Sequence, residues 1–153
     1  ENGDPIAIHT LAAAAQGVIR DVAKSRGLSH PSILHDHPHV PKDARKQWIK
    51  FLNEPRNFFK HADKDPDGML EFDEVANERL LLDACITLAE ISDQALSEVN
   101  VYLGWFTTAN PKLRGAFSAN QIGDYAVRND ISPQDFDVFR ELCGTKILID
   151  PAG

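Results

Sequence analysis

Apolar residues return every three to four positions along most of this chain, the period of a helix with one buried face. Ile6, Leu11, Ala14, Ala15, Val18, Ile19 and Val22 form the first such stripe. Asp4-Pro5 supplies a cap and a first-turn proline ahead of it, and Gly27 a stop behind it. The alanines at 12–15 predict close packing against another helix. Ser29 to Val40 is rich in proline and histidine and predicts a connection.

A second helix is expected from about Pro41 with Trp48, Ile49, Phe51 and Leu52 inward. A short third helix, capped by Asn53 and carrying Pro55, Phe58, Phe59 and Ala62, should follow it. A long helix is predicted from about Phe72 to Ile91 on Val75, Leu81, Leu82, Cys85, Ile86 and Leu88. Ser92 or Asp93 opens the next, with Leu96, Val99, Leu103 and Phe106 on one stripe. Asn110-Pro111 ends it and starts a shorter one. Asn120 to Val127 form a further helix. Ser132-Pro133 and Asp135 cap a last one bearing Phe136, Phe139 and Leu142, closed by Gly144, with Lys146 to Asp150 as an extended tail. Trp48, Tyr102, Trp105 and the phenylalanines are expected in the core. No segment alternates with period two long enough to make a strand. The reading is all-α: a single domain over residues 1–153, a helical bundle of six or seven helices.

Composition narrows the class. At 153 residues, 42% apolar and 25% charged, the chain matches an ordinary globular domain with room for a full core. No apolar run reaches membrane-spanning length, so no membrane role is expected. The first residues show no basic stretch before an apolar core, so no signal peptide is read. A chain starting at Glu1 leaves open that a leader was trimmed. Cys85 and Cys143 lie inside apolar helical stretches and read as small buried hydrophobes, favouring a reducing, cytoplasmic setting. A net charge of −7 argues against binding nucleic acid through phosphate contacts.

Five of those seven charges arise between Asp63 and Glu74, where DKDPDGMLEFDE sets six carboxylates against one lysine. The spacing resembles an EF-hand calcium loop, which takes oxygen ligands at its first, third, fifth and twelfth places and a glycine turn at its sixth. The resemblance implies a Ca2+ site built from Asp63, Asp65, Asp67, the Met69 carbonyl and Glu74, with Leu70 at the aliphatic place. Pro66 departs from the pattern, because its ring forbids the left-handed backbone usual at the fourth place. No second loop accompanies this one, and Glu78 and Arg79 stand where an exiting helix is usually apolar. Asp65-Pro66-Asp67-Gly68 also fits a type I turn, with Asp73 and Glu74 in the first turn of the next helix. The solvated turn is the expectation, and the calcium loop its alternative.

Arg56-Asn57-Phe58-Phe59-Lys60-His61 reads R-N-x-x-x-H and resembles the motif of HEPN-type ribonucleases, helical bundles that often act as dimers. The resemblance implies Arg56 stabilising a phosphate and His61 moving a proton at the ribose 2′-hydroxyl, the two near one helix face. RNA enters as a partner only on that reading. The plain alternative is an exposed arginine and a histidine at a helix C-terminus.

His35, His37 and His39 alternate. In an extended segment they would share one side and could meet a zinc or nickel ion. A solvated histidine-rich loop is the simpler reading. As a whole, the chain also resembles a group of uncharacterised bacterial helical proteins carrying an NFFKHAD-like segment, here Asn57 to Asp63, which implies the helical fold and no activity. The sequence therefore favours a binding or interaction protein over an enzyme. A second copy of the chain is the partner an interaction role would imply. Neither substrate nor ligand is legible.

Overall fold

The structure, a computed structural model, describes residues 3–61, 63–94, 96–116 and 121–143. Within them the chain is all helical, as expected, with six α-helices, one 3-10 segment and no strand. None of these helices is long and apolar enough to cross a membrane. The contacts gather into two compact units, Glu1–Thr87 and Leu88–Gly153.

The N-terminal unit begins with α1, Pro5–Ser25. The Asp4 carboxylate accepts the Ile6 N–H at 2.9 Å, and Pro5 fills the first turn without wasting a donor. At the other end Gly27 takes φ +92°. The Leu28 N–H then reaches the Ala23 carbonyl at 3.1 Å and the Gly27 N–H the Lys24 carbonyl at 3.0 Å, a Schellman ending.

The buried face of α1 is not the apolar stripe. His9, Ala12, Ala13, Gln16 and Ala23 face inward, whereas Leu11 is 72% and Val18 65% exposed. Small residues admit a close neighbour, and the two polar ones have hydrogen-bond partners waiting on α3 and in the loop after α1.

One helix, α2 (Arg45–Lys60), replaces the expected two. Pro55 sits inside it at the cost of one backbone hydrogen bond. Asn53 is a mid-helix residue there and not a cap. No side chain of α2 is fully buried, and Phe51 is 63% exposed. Helix α3 (Val75–Ile91) opens where Asp73 Oδ1 accepts the Val75 N–H at 3.0 Å, three residues later than predicted. Its inward residues are Asn77, Leu80, Leu82, Asp83, Ala84 and Thr87, again mixing polar with apolar. Ala12, Ala13 and Leu80 form the small apolar cluster of this unit, flanked by Leu34 and Leu81.

The C-terminal unit holds α4 (Ser97–Ala109), the 3-10 segment Pro111–Ala116, α5 (Gln121–Arg128) and α6 (Phe136–Leu142). Ser92 pairs with Gln94 in a turn, so α4 starts later than Ser92 or Asp93. Val101, Ile122, Ala126 and Phe139 bury one another, with Trp105 packed against them and its indole N–H on the Pro133 carbonyl at 2.9 Å. A Cβ on Gly123 would lie 2.7 Å from Thr107 Oγ1, so glycine lets α5 approach α4 closely. Ala62, Asn120, Gly144 and the tail at 146–150 lie outside the described residues.

Candidate functional site

Two polar centres are built into the N-terminal unit, and an apolar cleft adjoins one of them. The first centre is Asp83, fully buried in the middle of Leu80-Leu81-Leu82-Asp83-Ala84. A carboxylate can sit there only if donors replace water. Oδ1 accepts the backbone N–H groups of Ile33 at 2.6 Å and Leu34 at 3.3 Å. Oδ2 accepts the Ser32 hydroxyl at 2.8 Å and the Gln16 amide at 2.6 Å. The Thr87 hydroxyl, one turn further along α3, reaches the Pro31 carbonyl. One carboxylate thus pins the loop after α1 to both α1 and α3.

His35 and Asp36 complete this centre. Gln16 Nε2 and Ser32 Oγ each lie 3.3 Å from His35 Nδ1. The Gln16 amide nitrogen only donates, so Nδ1 is the acceptor and Nε2 carries the proton, facing Asn53 Oδ1 at 3.5 Å. Burial lowers the His35 pKa, with the Asn53 contact opposing in part. Asp36 takes the Arg20 guanidinium side-on, Nε at 2.7 Å and Nη2 at 2.6 Å, with Lys24 at 3.7 Å. Burial is the largest single influence and works against that negative charge, but the Arg20 hydrogen bonds, the charges of Arg20 and Lys24 and the Ser32 backbone contact together outweigh it and hold the carboxyl below its ordinary value.

The second centre is His9, 1% exposed. Its Nδ1 lies 2.9 Å from Asn77 Oδ1, while Asn77 Nδ2 donates to the Pro5 carbonyl at 3.0 Å. The imidazole meets Phe72 and Phe59 edge-on, at ring-centre separations of 4.9 and 5.9 Å. Burial lowers its pKa, the Asn77 bond opposing in part, so the ring is neutral near pH 7. The other ring nitrogen, Nε2, is buried with no hydrogen-bond partner among the described residues.

His9 forms part of the wall of a cleft of about 400 Å³. Leu34, Trp48, Phe51, Leu52, Pro55, Leu70, Phe72, Ala76 and Leu80 supply its apolar lining, with Glu54, Glu71, Asp73 and Arg79 among them. Those four charged residues are all exposed. Trp48 is fixed by its indole N–H on the Leu34 carbonyl at 2.7 Å. Size and lining are those of a small-molecule site: mostly apolar, with few polar groups.

The residues singled out in the sequence fall elsewhere. His35 is buried on Gln16 and Ser32, whereas His37 and His39 pair with each other nearer the surface, ring centres 5.3 Å apart. Residues 33–39 run as successive turns and not as the extended segment that would have aligned the three rings. The side chains of Asp63, Asp65, Asp67, Met69 and Glu74 are exposed, Met69 at 97%. The Gly68 N–H closes a turn on the Asp65 carbonyl at 3.1 Å, and a Cβ at Gly68 would lie 2.6 Å from Asp65 Oδ2. Among the described residues no three His, Cys, Asp or Glu side chains are grouped to hold a metal ion.

Arg56 is exposed on α2, its guanidinium beside Gly17 of α1, and His61 is the C-terminal cap residue of α2. Five residues of α-helix turn through about 500°, which separates the two positions by about 140° around the axis. The helix itself therefore does not gather them on one face. Cys85 is no nucleophile near neutrality, since burial pushes its thiol up to about 11.

Calorimetric titration with calcium is expected to show no saturable heat up to millimolar concentration, and Glu74→Gln to change nothing. A stoichiometric signal abolished by that substitution would restore the calcium loop.

Sequence reasoning overlooked His9, Gln16, Asn77 and Asp83. The available signal was spacing: His9, Ala12, Ala13, Gln16 and Ala23 recur on helical period as regularly as the exposed apolar stripe. Comparison with protein-family models, curated proteins and solved structures finds no match for this chain.

Proposed function

We propose that the N-terminal unit is a small-molecule-binding module, and that its ligand occupies the cleft between His9, Trp48 and Phe72. The observation that carries this reading is a cleft of ligand size whose wall contains a sealed imidazole with one unpartnered nitrogen. Folded chains satisfy nearly all buried polar atoms, so an exception beside an apolar cavity points to a missing partner. The free thiols of Cys85 and Cys143 suit the cytoplasmic setting favoured by the sequence.

Nile red, a neutral apolar dye, is expected to bind the full chain saturably with enhanced emission. Ala76→Trp, which fills the cleft, should abolish the signal while far-ultraviolet circular dichroism stays unchanged. Undiminished dye binding in a folded Ala76→Trp variant would refute the site.

A further inference from the structure

Asn77 determines which proton His9 carries. The Pro5 carbonyl can only accept, so the Asn77 amide nitrogen must face it and its oxygen must face His9 Nδ1, as the distances of 3.0 and 2.9 Å show. Oxygen opposite Nδ1 requires Nδ1 to donate. In the neutral ring the remaining nitrogen, Nε2, is then a bare lone pair, an acceptor without a donor. The cleft wall is thus missing one N–H or O–H group.

We propose that the cleft selects a neutral or cationic amphiphile, aromatic or alkyl in its body, that donates one hydrogen bond to His9 Nε2. This rests on the cleft being a ligand site. The charge preference follows from three carboxylates, Glu54, Glu71 and Asp73, against the single guanidinium of Arg79 around the same cavity. Their field disfavours a carboxylate or phosphate ligand. The aromatic or alkyl preference follows from Trp48 and Phe51, stacked with ring centres 5.9 Å apart, and from Phe72.

Nε2 is sealed from solvent, so a ligand reaches it only if a neighbouring ring yields; Phe72, edge-on to His9 and itself part of the cleft lining, is the one on the cleft side. Phe72 belongs to residues 68–73, which form neither helix nor strand between the turn ending at Gly68 and the start of α3. A shift of that short segment is a smaller change than moving a helix.

The test compares 4-butylphenol with its methyl ether, 4-butylanisole, which matches its body but cannot donate. Binding to the full chain is followed by calorimetry. The phenol is expected to bind about tenfold more tightly, equivalent to about 1.4 kcal/mol, and His9→Leu to remove the difference between the two compounds. A readout on the unsubstituted protein runs alongside: nitrogen-15 spectra should show His9 Nε2 unprotonated and shifting with the phenol but not the ether. Equal affinities, or a protonated Nε2, overturn the donor assignment and leave the cleft standing. If neither compound binds, the cleft reading falls and this inference with it.

Discussion

Asp83→Ala is expected to destabilise the chain by about 3–5 kcal/mol, read as a lowered urea midpoint at unchanged slope. The reason is the number of donors left behind. The carboxylate takes two part-buried backbone N–H groups, from Ile33 and Leu34, and the buried side chains of Ser32 and Gln16. Ser32 and Gln16 can turn toward each other or His35, but the Ile33 and Leu34 amides cannot. Each buried donor left unsatisfied costs about 1–3 kcal/mol. Asp83→Asn keeps the shape and one acceptor oxygen yet sets an amide N–H2 against donors, so it should fall between the two. A loss below about 1 kcal/mol in Asp83→Ala would mean that water or the loop compensates, and that Asp83 does not organise this unit.

Much of the backbone was legible in the sequence because it depends on local chemistry. Asp4, Pro5 and Gly27 bound α1 by side-chain capping, a fixed φ and a left-handed turn, none of which needs tertiary information. The Asp65-Pro66-Asp67-Gly68 turn was legible for the same reason. The helix break at Asn53-Glu54-Pro55 was misread because the same letters suit a cap. There α2 instead absorbs the proline, with Trp48 and Leu52 before it and Phe58 and Phe59 after it, all half-buried.

The direction in which α1 and α3 face was not legible. Periodicity ranks residues by hydropathy, and that ranking sends Leu11 and Val18 inward and His9, Gln16 and Asp83 out. The structure reverses the assignment, since each of these polar groups meets a partner far along the chain: His9 meets Asn77, and Gln16 meets Asp83. Such pairings carry no local signature. The cleft was half visible, because Trp48, Phe51 and Phe72 stand out as aromatic positions. Nothing in their spacing distinguishes a cavity wall from a filled core.

Acid is expected to weaken this fold in two separate steps, the first beginning well above the carboxylate range. His9 and His35 are both buried, and burial lowers the pKa of each from an ordinary value near 6.5. Above that value both rings are neutral whether the chain is folded or not, so no proton difference exists and stability is flat. As pH falls below it, the unfolded chain takes up protons that the folded chain refuses. Stability then drops by up to about 1.4 kcal/mol per pH unit for each ring until the folded pKa values are reached. Asp36 behaves separately. Its folded pKa lies below the ordinary 3.8, so the stability it contributes persists above that value and disappears as pH falls through the folded pKa. Urea midpoints measured from pH 7.5 to 5 should therefore stay level down to about pH 6.5 and decline below it, and replacing either histidine by a neutral residue should flatten that decline even where it lowers the plateau. A profile level down to pH 5 would show that both imidazoles accept protons in place, and that neither Nδ1 of His35 nor Nε2 of His9 is held as an acceptor by its surroundings.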